Sequence, residues 1–492
     1  EPLLAVADPE YACATRAFGH FYHAGDPIFR AIDDGLDFLV HDVAIDPIER
    51  CRLYGMMRYG NPVCSHSAAP AVAYLYYRDR APEKALRHVG PYNNESNDQL
   101  MAVWGNYLRT GRRDHFQLAL NYSRAMSDVA ICHAHADPNQ VGLIHYHNAH
   151  QWSGGKSPSH TLVSGMLIGY YLTGDRRLLE VAREVADWAV RTQEPAGIVS
   201  CRRALLHREF TGPLWTLIEV YRATWEERYG EVARRSFNWF LRALPDGPLY
   251  PRDIFTRGER GDEAVVYGTT NGPDAARDMY PVYEAGLRLW DSDRLRERIV
   301  AEADYYVWEA MTDNFFTEEA ARRFLTPRSE LWPVGDGWYW SQWIQLPQFN
   351  GGIVCLAYEL TKDLHYAAWA KDQLFGTFLR QVERCRHGAD WRFTWIHFGG
   401  FIPRLMAIVA DAERRDPEGL RKAEEAWRAR RKELGAPVYQ GPGVDFSVDR
   451  MGPNGQILNR PPVDLPREKV AGSDRTVNLG RLSTEPLPLT GA

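Results

Sequence analysis

The sequence predicts an all-α protein arranged as an (α/α)6 toroid, and three observations carry that prediction. Helix pairs recur along most of the 492 residues. The turns inside the first two pairs, Tyr107-Leu108-Arg109-Thr110-Gly111 and Tyr171-Leu172-Thr173-Gly174-Asp175, are nearly the same text. In each pair the first helix is apolar on most sides and the second is amphipathic, as expected for buried and surface members of a hairpin.

The first pair spans Glu95–Leu108 and Asp114–Val129, and the second spans about Ser159–Leu172 and Arg177–Val190. Gly just past a helix end is a C-cap signal, and Asp opening the next helix is an N-cap candidate. Four further pairs fit the template: Phe210–Trp225 with Glu231–Leu244, Ala275–Trp290 with Leu295–Met311, Gly352–Thr361 with Tyr366–Cys385, and Phe401–Ala412 with Glu418–Leu434. Leu178, Val181, Val185, Trp188 and Ala189 form the apolar stripe of one second helix, whereas Met166-Leu167-Ile168-Gly169-Tyr170-Tyr171-Leu172 has no polar side. Six such pairs give six inner and six outer helices, closed into a ring or, alternatively, left open as a solenoid.

Three regions follow. Residues 1–90 form a less regular segment packed on the toroid, with helices near Asp26–Leu39 and Ala69–Arg78 as an imperfect seventh pair. Residues 91–434 form the toroid. Residues 435–492 hold eight prolines and no apolar period, and read as an extended tail. Short strands are expected near Pro248–Val266. The chain starts at Glu1 rather than Met and so reads as a processed product or an excised piece.

Composition narrows the function. At 45% hydrophobic and 25% charged the chain is an ordinary globular mixture, and its formal charge of −6 argues against a general nucleic-acid or anionic-membrane partner. Only seven of the 58 basic residues are Lys; Arg suits bidentate carboxylate recognition, though a high-GC genome gives the same bias. The seven cysteines are scattered and contain no C-x-x-C pair, so they form no zinc signature. The 16 Trp and 25 Tyr fit either buried rings or sugar-stacking platforms.

The segments leading into the first helices carry the chemistry. They read Tyr92-Asn93-Asn94-Glu95-Ser96-Asn97-Asp98, then His145-Tyr146-His147-Asn148-Ala149-His150-Gln151-Trp152 followed by Gly154-Gly155-Lys156-Ser157-Pro158-Ser159-His160. Later come His207-Arg208-Glu209, Asn271-Gly272-Pro273-Asp274 with Arg277 and Tyr280, Trp338-Tyr339-Trp340, and Trp395-Ile396-His397. The turns at the other end hold generic capping residues, so one end of the ring is marked as a mouth.

Six histidines, His133, His135, His145, His147, His150 and His160, fall within 28 residues. Proton transfer near neutral pH is one use for them, and caps or core groups are another. His145-x-His147 offers two metal ligands, but no recognised spacing fixes a third, so no cofactor is assigned. Arg208 and Arg277 suit a uronate carboxylate or an internal ion pair to Glu209 or Asp278. Trp152, Trp340, Glu95 and His397 complete the candidate substrate-binding set.

The succession Leu53-Tyr54-Gly55-Met56-Met57-Arg58-Tyr59-Gly60, Asn93-Asn94-Glu95 and Tyr107-Leu108-Arg109-Thr110-Gly111 resembles exo-acting rhamnogalacturonan lyases and their relatives. So do the His-rich stretch ending in Gly154-Gly155, Ser159-His160-Thr161, and Tyr171-Leu172-Thr173-Gly174-Asp175. The resemblance covers about residues 50–200 and the later repeats in outline. It implies an α/α toroid acting on an acidic polysaccharide or oligosaccharide, with a β-rich domain ahead of the toroid that this chain does not carry.

A lyase cutting beside a uronic acid needs a partner for the carboxylate, a base for the adjacent proton and an acid for the departing oxygen. Asn93, Asn94 and Arg208 or Arg277 suit the first role. His147, His150 or His160 suit the second, and Tyr280 or another His the third. Two other readings stay open: a glycoside hydrolase pairing Glu95 or Asp98 with Asp274, Asp278 or Asp336, and a non-catalytic carbohydrate-binding or assembly protein. The substrate class places the protein outside the cell or in the periplasm, and the sequence does not set its oligomeric state.

Overall fold

The structure, a computed structural model, describes residues 8–50, 52, 74–75, 77–85, 99–145, 156–158, 162–199, 208–243, 272–309, 347–386, 401–433, 468–469 and 476–477. Six helical hairpins account for most of them. They are α2 (Gln99–Thr110) with α3 (Arg113–Ala125), α4 (Ser164–Thr173) with α5 (Arg176–Arg191), and α6 (Arg208–Thr224) with α7 (Glu227–Ala243). The ring continues with α8 (Gly272–Leu289) and α9 (Asp293–Asp304), α10 (Pro347–Thr361) with α11 (Leu364–Asp372) and α12 (Leu379–Arg386), and α13 (Ile402–Arg415) with α14 (Pro417–Glu433). Among the described residues, α1 (Arg30–Phe38) and the short helices Pro9–Ala14, Asp46–Arg50 and Pro82–Ala85 precede them. No described helix is long and apolar enough to cross a membrane.

The first member of each hairpin is the inner one. Consecutive inner helices pack side by side, α2 on α4, α4 on α6, α6 on α8, α8 on α10 and α10 on α13. The outer helices back them, with α5 lying against both α4 and α6, and α11 against both α10 and α13. Burial follows the sequence pattern. Six consecutive residues of α4, Ser164 to Gly169, are buried, whereas α5 buries the stripe Leu178, Val181, Ala182, Val185, Ala186 and Ala189. A helix surrounded on all sides must be apolar all round, and one facing water needs only a stripe.

The hairpin turns need a left-handed residue to reverse the chain. Gly111 and Gly174 supply it at φ +67° and +73°, and Trp225 and Lys362 hold the same region at +57° and +58° in later hairpins. Asp175 and Asp363 then cap α5 and α11 by accepting the backbone N–H two residues on. Asp114 is not a cap. It lies in the first turn of α3, where Arg112 Nη2 approaches its carboxylate at 3.0 Å.

Several second helices expected to be continuous are interrupted. Met126–Ala130 after α3, Tyr305–Glu309 after α9 and Gln373–Phe378 between α11 and α12 are π turns. A wider turn rotates the downstream face and lets a long outer helix keep its apolar side on a curved wall. Residues 8–50 are also more regular than expected. A π turn at Leu39–Ile45 extends α1, which stands in the outer layer between α12 and α3: Gly35 sits against Phe378 and Val382, and Arg112 pairs with Asp37 at 3.0 Å.

The ring closes through extended chain. Tyr22 N–H donates to Pro403 O at 3.1 Å and Ala24 N–H to Arg109 O at 2.9 Å, joining α13 to α2. Arg109, 1% exposed, donates to Tyr22 O and pairs with Asp33. Beyond residue 433, only a two-stranded ladder, Glu468–Lys469 with Thr476–Val477, is described. The strands expected near 248–266 lie outside the described residues.

Candidate functional site

The hairpin order makes the six inner helices parallel, so all their hairpin turns gather at one end and all their first residues at the other. Chain fills the turn end. Phe18 stands 6.2 Å from the Tyr171 ring of α4, and its carbonyl accepts from Arg404 of α13 at 3.4 Å. His20 reaches across to Glu359 of α10 at 2.6 Å. Gly19 between them has φ +103° and lies so close to the Arg404 guanidinium that any Cβ would overlap it. Residues 16–20 therefore act as a stopper in the bore, held by α4, α10 and α13.

Above the stopper lies a ring of ion pairs. Glu219 and Arg222 of α6 meet at 2.9 Å, Glu284 and Arg288 of α8 at 3.1 Å, and Arg404 approaches Glu284 at 3.7 Å. Arg404 is 3% exposed, and its guanidinium also covers the rings of Phe21 and Tyr280, each at 4.6 Å. Burial pushes the Glu359 carboxyl up, but His20, Arg16 and Arg404 outweigh it and hold it below the usual carboxylate range. The Arg222 guanidinium is held charged chiefly by Glu219, with Glu284 adding to it. Each carboxylate named here has a cation beside it. The Glu359 carboxyl, kept ionised this way, is a poor proton donor and orders the bore rather than supplying an acid.

On the connection between α3 and α4 the structure describes the residues that flank the His-rich stretch. Ile144–His145 pairs antiparallel with Lys156–Ser157, with His145 opposite Lys156, and Ile144 also bridges to Ile131. This ladder lies on the connection from α3 to α4 and brackets residues 146–155 in the sequence. Leu143 and Ile144 are buried, so the ladder is anchored in the core.

Two of the six histidines have structural work. His133 sits between Glu184 Oε2 and Ser127 O, each at 2.7 Å, and the Glu184 contact raises its pKa above the ordinary value. His135 accepts from the Asp137 N–H at 3.0 Å in a local turn.

Residues 2–238 match the model of a family described as the PcRGLX-like protein C-terminal alpha/alpha toroid domain. The matched span includes the stopper, the seam and the His-bearing ladder. A search of the curated proteins finds no match. The exo-rhamnogalacturonan lyase-like resemblance read from residues 50–200 is thus a family relationship, and the PcRGLX-like toroid takes in the N-terminal segment as well.

Within and beyond this PcRGLX-like region, the sequence-predicted site residues fall into three groups. Asn93, Asn94, Glu95, His147, His150, Trp152, His160, Trp340 and His397 lie outside the described residues, as do Asp98 and Asp336. Arg208 is the first residue of α6, and Arg277 lies within the first two turns of α8, so their backbones stand at the end where the inner helices start. Asp274 and Asp278 share those turns.

Tyr280 is 2% exposed, and its ring lies edge-on to Phe401 at 5.1 Å. A Cβ at Gly352 would come within 2.5 Å of it. Burial raises its pKa well above 10, with Arg404 opposing only in part. This tyrosine is part of the packed wall between α8, α10 and α13, which argues against the proton-donor role assigned to it from sequence.

The ion-pair layer was missed in the sequence. The signal was there: Glu219, Glu284 and Glu359 interrupt apolar helices, and a buried charge in such a setting needs a partner. Arg222 and Arg288 lie one turn along from Glu219 and Glu284 and are legible, whereas Arg404 and His20 come from distant segments and their pairings are not.

Proposed function

We propose that the protein is a polysaccharide lyase acting on a pectic, uronate-containing polymer or oligosaccharide of the rhamnogalacturonan type. The observation that carries this reading is the family match of residues 2–238 to the toroid of PcRGLX-like proteins. Two features of the geometry support it. Six parallel inner helices direct their N-terminal partial charges toward one end of the ring, a field that favours an anionic sugar. His147 and His150 are bracketed in the sequence by the ladder of Ile144–His145 with Lys156–Ser157, and His160 follows before α4 starts.

In the proposed reaction the uronate carboxylate is neutralised by Arg208 or Arg277 with Asn93 and Asn94. This neutralisation acidifies the proton on the adjacent carbon. A histidine among His147, His150 and His160 removes that proton, a C=C bond forms, and the C–O bond to the leaving sugar breaks. A second histidine returns a proton to the departing oxygen, a role for which Tyr280 is too deeply packed. Such a substrate is met outside the cytoplasm, so we place the protein in the periplasm or outside the cell.

The test is incubation with rhamnogalacturonan, homogalacturonan, alginate, ulvan and glycosaminoglycan, following absorbance near 235 nm from the unsaturated product (an approximate value). A rise on the pectic polymers, abolished in His160→Ala or in a His147→Ala/His150→Ala pair, is expected. Reducing ends without unsaturation would make the protein a hydrolase. Binding without cleavage would make it a carbohydrate-binding protein.

A further inference from the structure

At the hairpin-turn end, outside the bore, α1 faces α3 across a cluster that the lyase reading does not use. Asp37 and His41 stand four residues apart and share one face of α1 and its π extension, and His115 comes from the first turn of α3. One donor atom from each of the three lies within 4.8 Å of the others.

His115 is fully buried, and the hydrogen bonds around it fix its tautomer. Thr110 Oγ1 spends its proton on Asn106 O at 2.6 Å, so at 3.1 Å from His115 Nδ1 it must accept rather than donate. Nδ1 therefore carries the hydrogen, and Nε2 holds an open lone pair. That Nε2 is buried without a hydrogen-bond partner, as is His41 Nε2. The latter stands 3.3 Å from Asp114 Oδ2 in a geometry that makes no hydrogen bond. Two buried imidazole nitrogens facing a carboxylate with nothing between them are costly as they stand.

We propose that Asp37, His41 and His115 bind a divalent transition-metal ion that staples α1 to α3 across the closing seam of the ring. Two imidazoles and one carboxylate suit Zn(II), Co(II) or Ni(II) rather than the all-oxygen preference of Ca(II) or Mg(II). Metal–ligand bonds of about 2.1 Å set donors about 3.4 Å apart, so small side-chain rotations close the site. Thr110 holds the His115 ring as an outer partner holds a metal-bound histidine.

A cavity of about 430 Å³ lined by Asp34, Asp37, His41, Asp42, Arg78 and Arg386 gives water access to the remaining positions. Of the cations facing the cluster, Arg78 is engaged by Asp42 and Asp46, and Arg386 donates to the Asp34 carbonyl. Arg112 shares Asp37 and Asp114, and is the group that opposes a metal.

The test uses the whole chain, stripped with a chelator and titrated with Co(II) and Zn(II). One equivalent of Co(II) should give a visible ligand-field band. Zn(II) at about 100 times its Kd should raise Tm by a few degrees. His41→Ala should weaken binding at least about 30-fold and abolish the Tm gain, and Thr110→Val should weaken it about 10-fold. His135→Ala, at an exposed histidine elsewhere, should change neither. His115→Gln is the more severe variant; should it fail to fold, His41→Ala and Asp37→Asn decide. A wild type that takes up no Co(II), or uptake and stabilisation that persist in both His41→Ala and Asp37→Asn, overturns the proposal.

Discussion

His20 Nδ1 lies 2.6 Å from Glu359 Oε1, joining residues 339 positions apart across the bore of the toroid. Each side chain is largely buried, at 16% and 30% exposure. The contact fastens the stopper formed by residues 16–20 to an inner helix five hairpins later, so the first part of the chain cannot dock until the fifth hairpin exists.

His20→Ala should therefore cost about 2 kcal/mol in denaturant unfolding, because it leaves a half-buried carboxylate short of its partner. The difference from wild type should depend on pH. Glu359 is depressed below its ordinary value of 4.5, so its contribution is present above that value and lost as pH falls through the folded one. Stability curves of the two proteins should converge in acid. Parallel curves down to pH 3 (roughly one unit or more below an unperturbed Glu) would show that the pair carries no such linkage.

His133 predicts the opposite slope. Glu184 raises its pKa above 6.5, so the stabilisation is complete below 6.5 and disappears as pH rises through the folded value. Melting temperatures of wild type and Glu184→Gln should differ most in mildly acidic buffer and draw together in alkaline buffer. A gap that widens with pH would contradict the charged His133–Glu184 pair.

Gly174 isolates a backbone effect. Its φ is +73° and a Cβ would meet nothing within 4 Å, so Gly174→Ala adds no clash. The expected loss is about 1 kcal/mol from the left-handed conformation alone. Gly169→Ala at the centre of α4 should cost more, since its Cβ would press on Leu178 at 2.9 Å and on Ser123 Oγ at 3.1 Å. Equal losses at the two sites would remove the distinction.

The connection between the paired strands Ile144–His145 and Lys156–Ser157 separates function from stability. Replacing residues 146–155 by a two-residue Asn-Gly turn keeps the ladder register and a favoured hairpin geometry. The shortened protein should melt within a few degrees of wild type and release no unsaturated product. Full activity in it would exclude His147 and His150 from the reaction.

The hairpins were legible because burial imposes a period. An inner helix such as α4 is apolar on all sides and an outer one such as α5 carries a single stripe, and the Gly174-Asp175 turn marks their boundary in both conformation and capping. The π turns at Met126–Ala130 and Gln373–Phe378 were not legible, since one extra residue per turn shifts a stripe without breaking its apolar content. Separating His133, held by Glu184, from the histidines of residues 146–155 required knowing that α5 lies beside the His133 segment.

By itself, then, the sequence determined which segments are helices and which of each pair is buried. These follow from local periodicity and turn chemistry, which act over a few residues. Only the tertiary structure decided that residues 16–29 stopper and close the ring, that Tyr280 belongs to a packed wall, and that Asp37 and His41 face His115. Those outcomes depend on side chains meeting across tens to hundreds of residues, and a charge or imidazole in the text does not say which distant group will satisfy it.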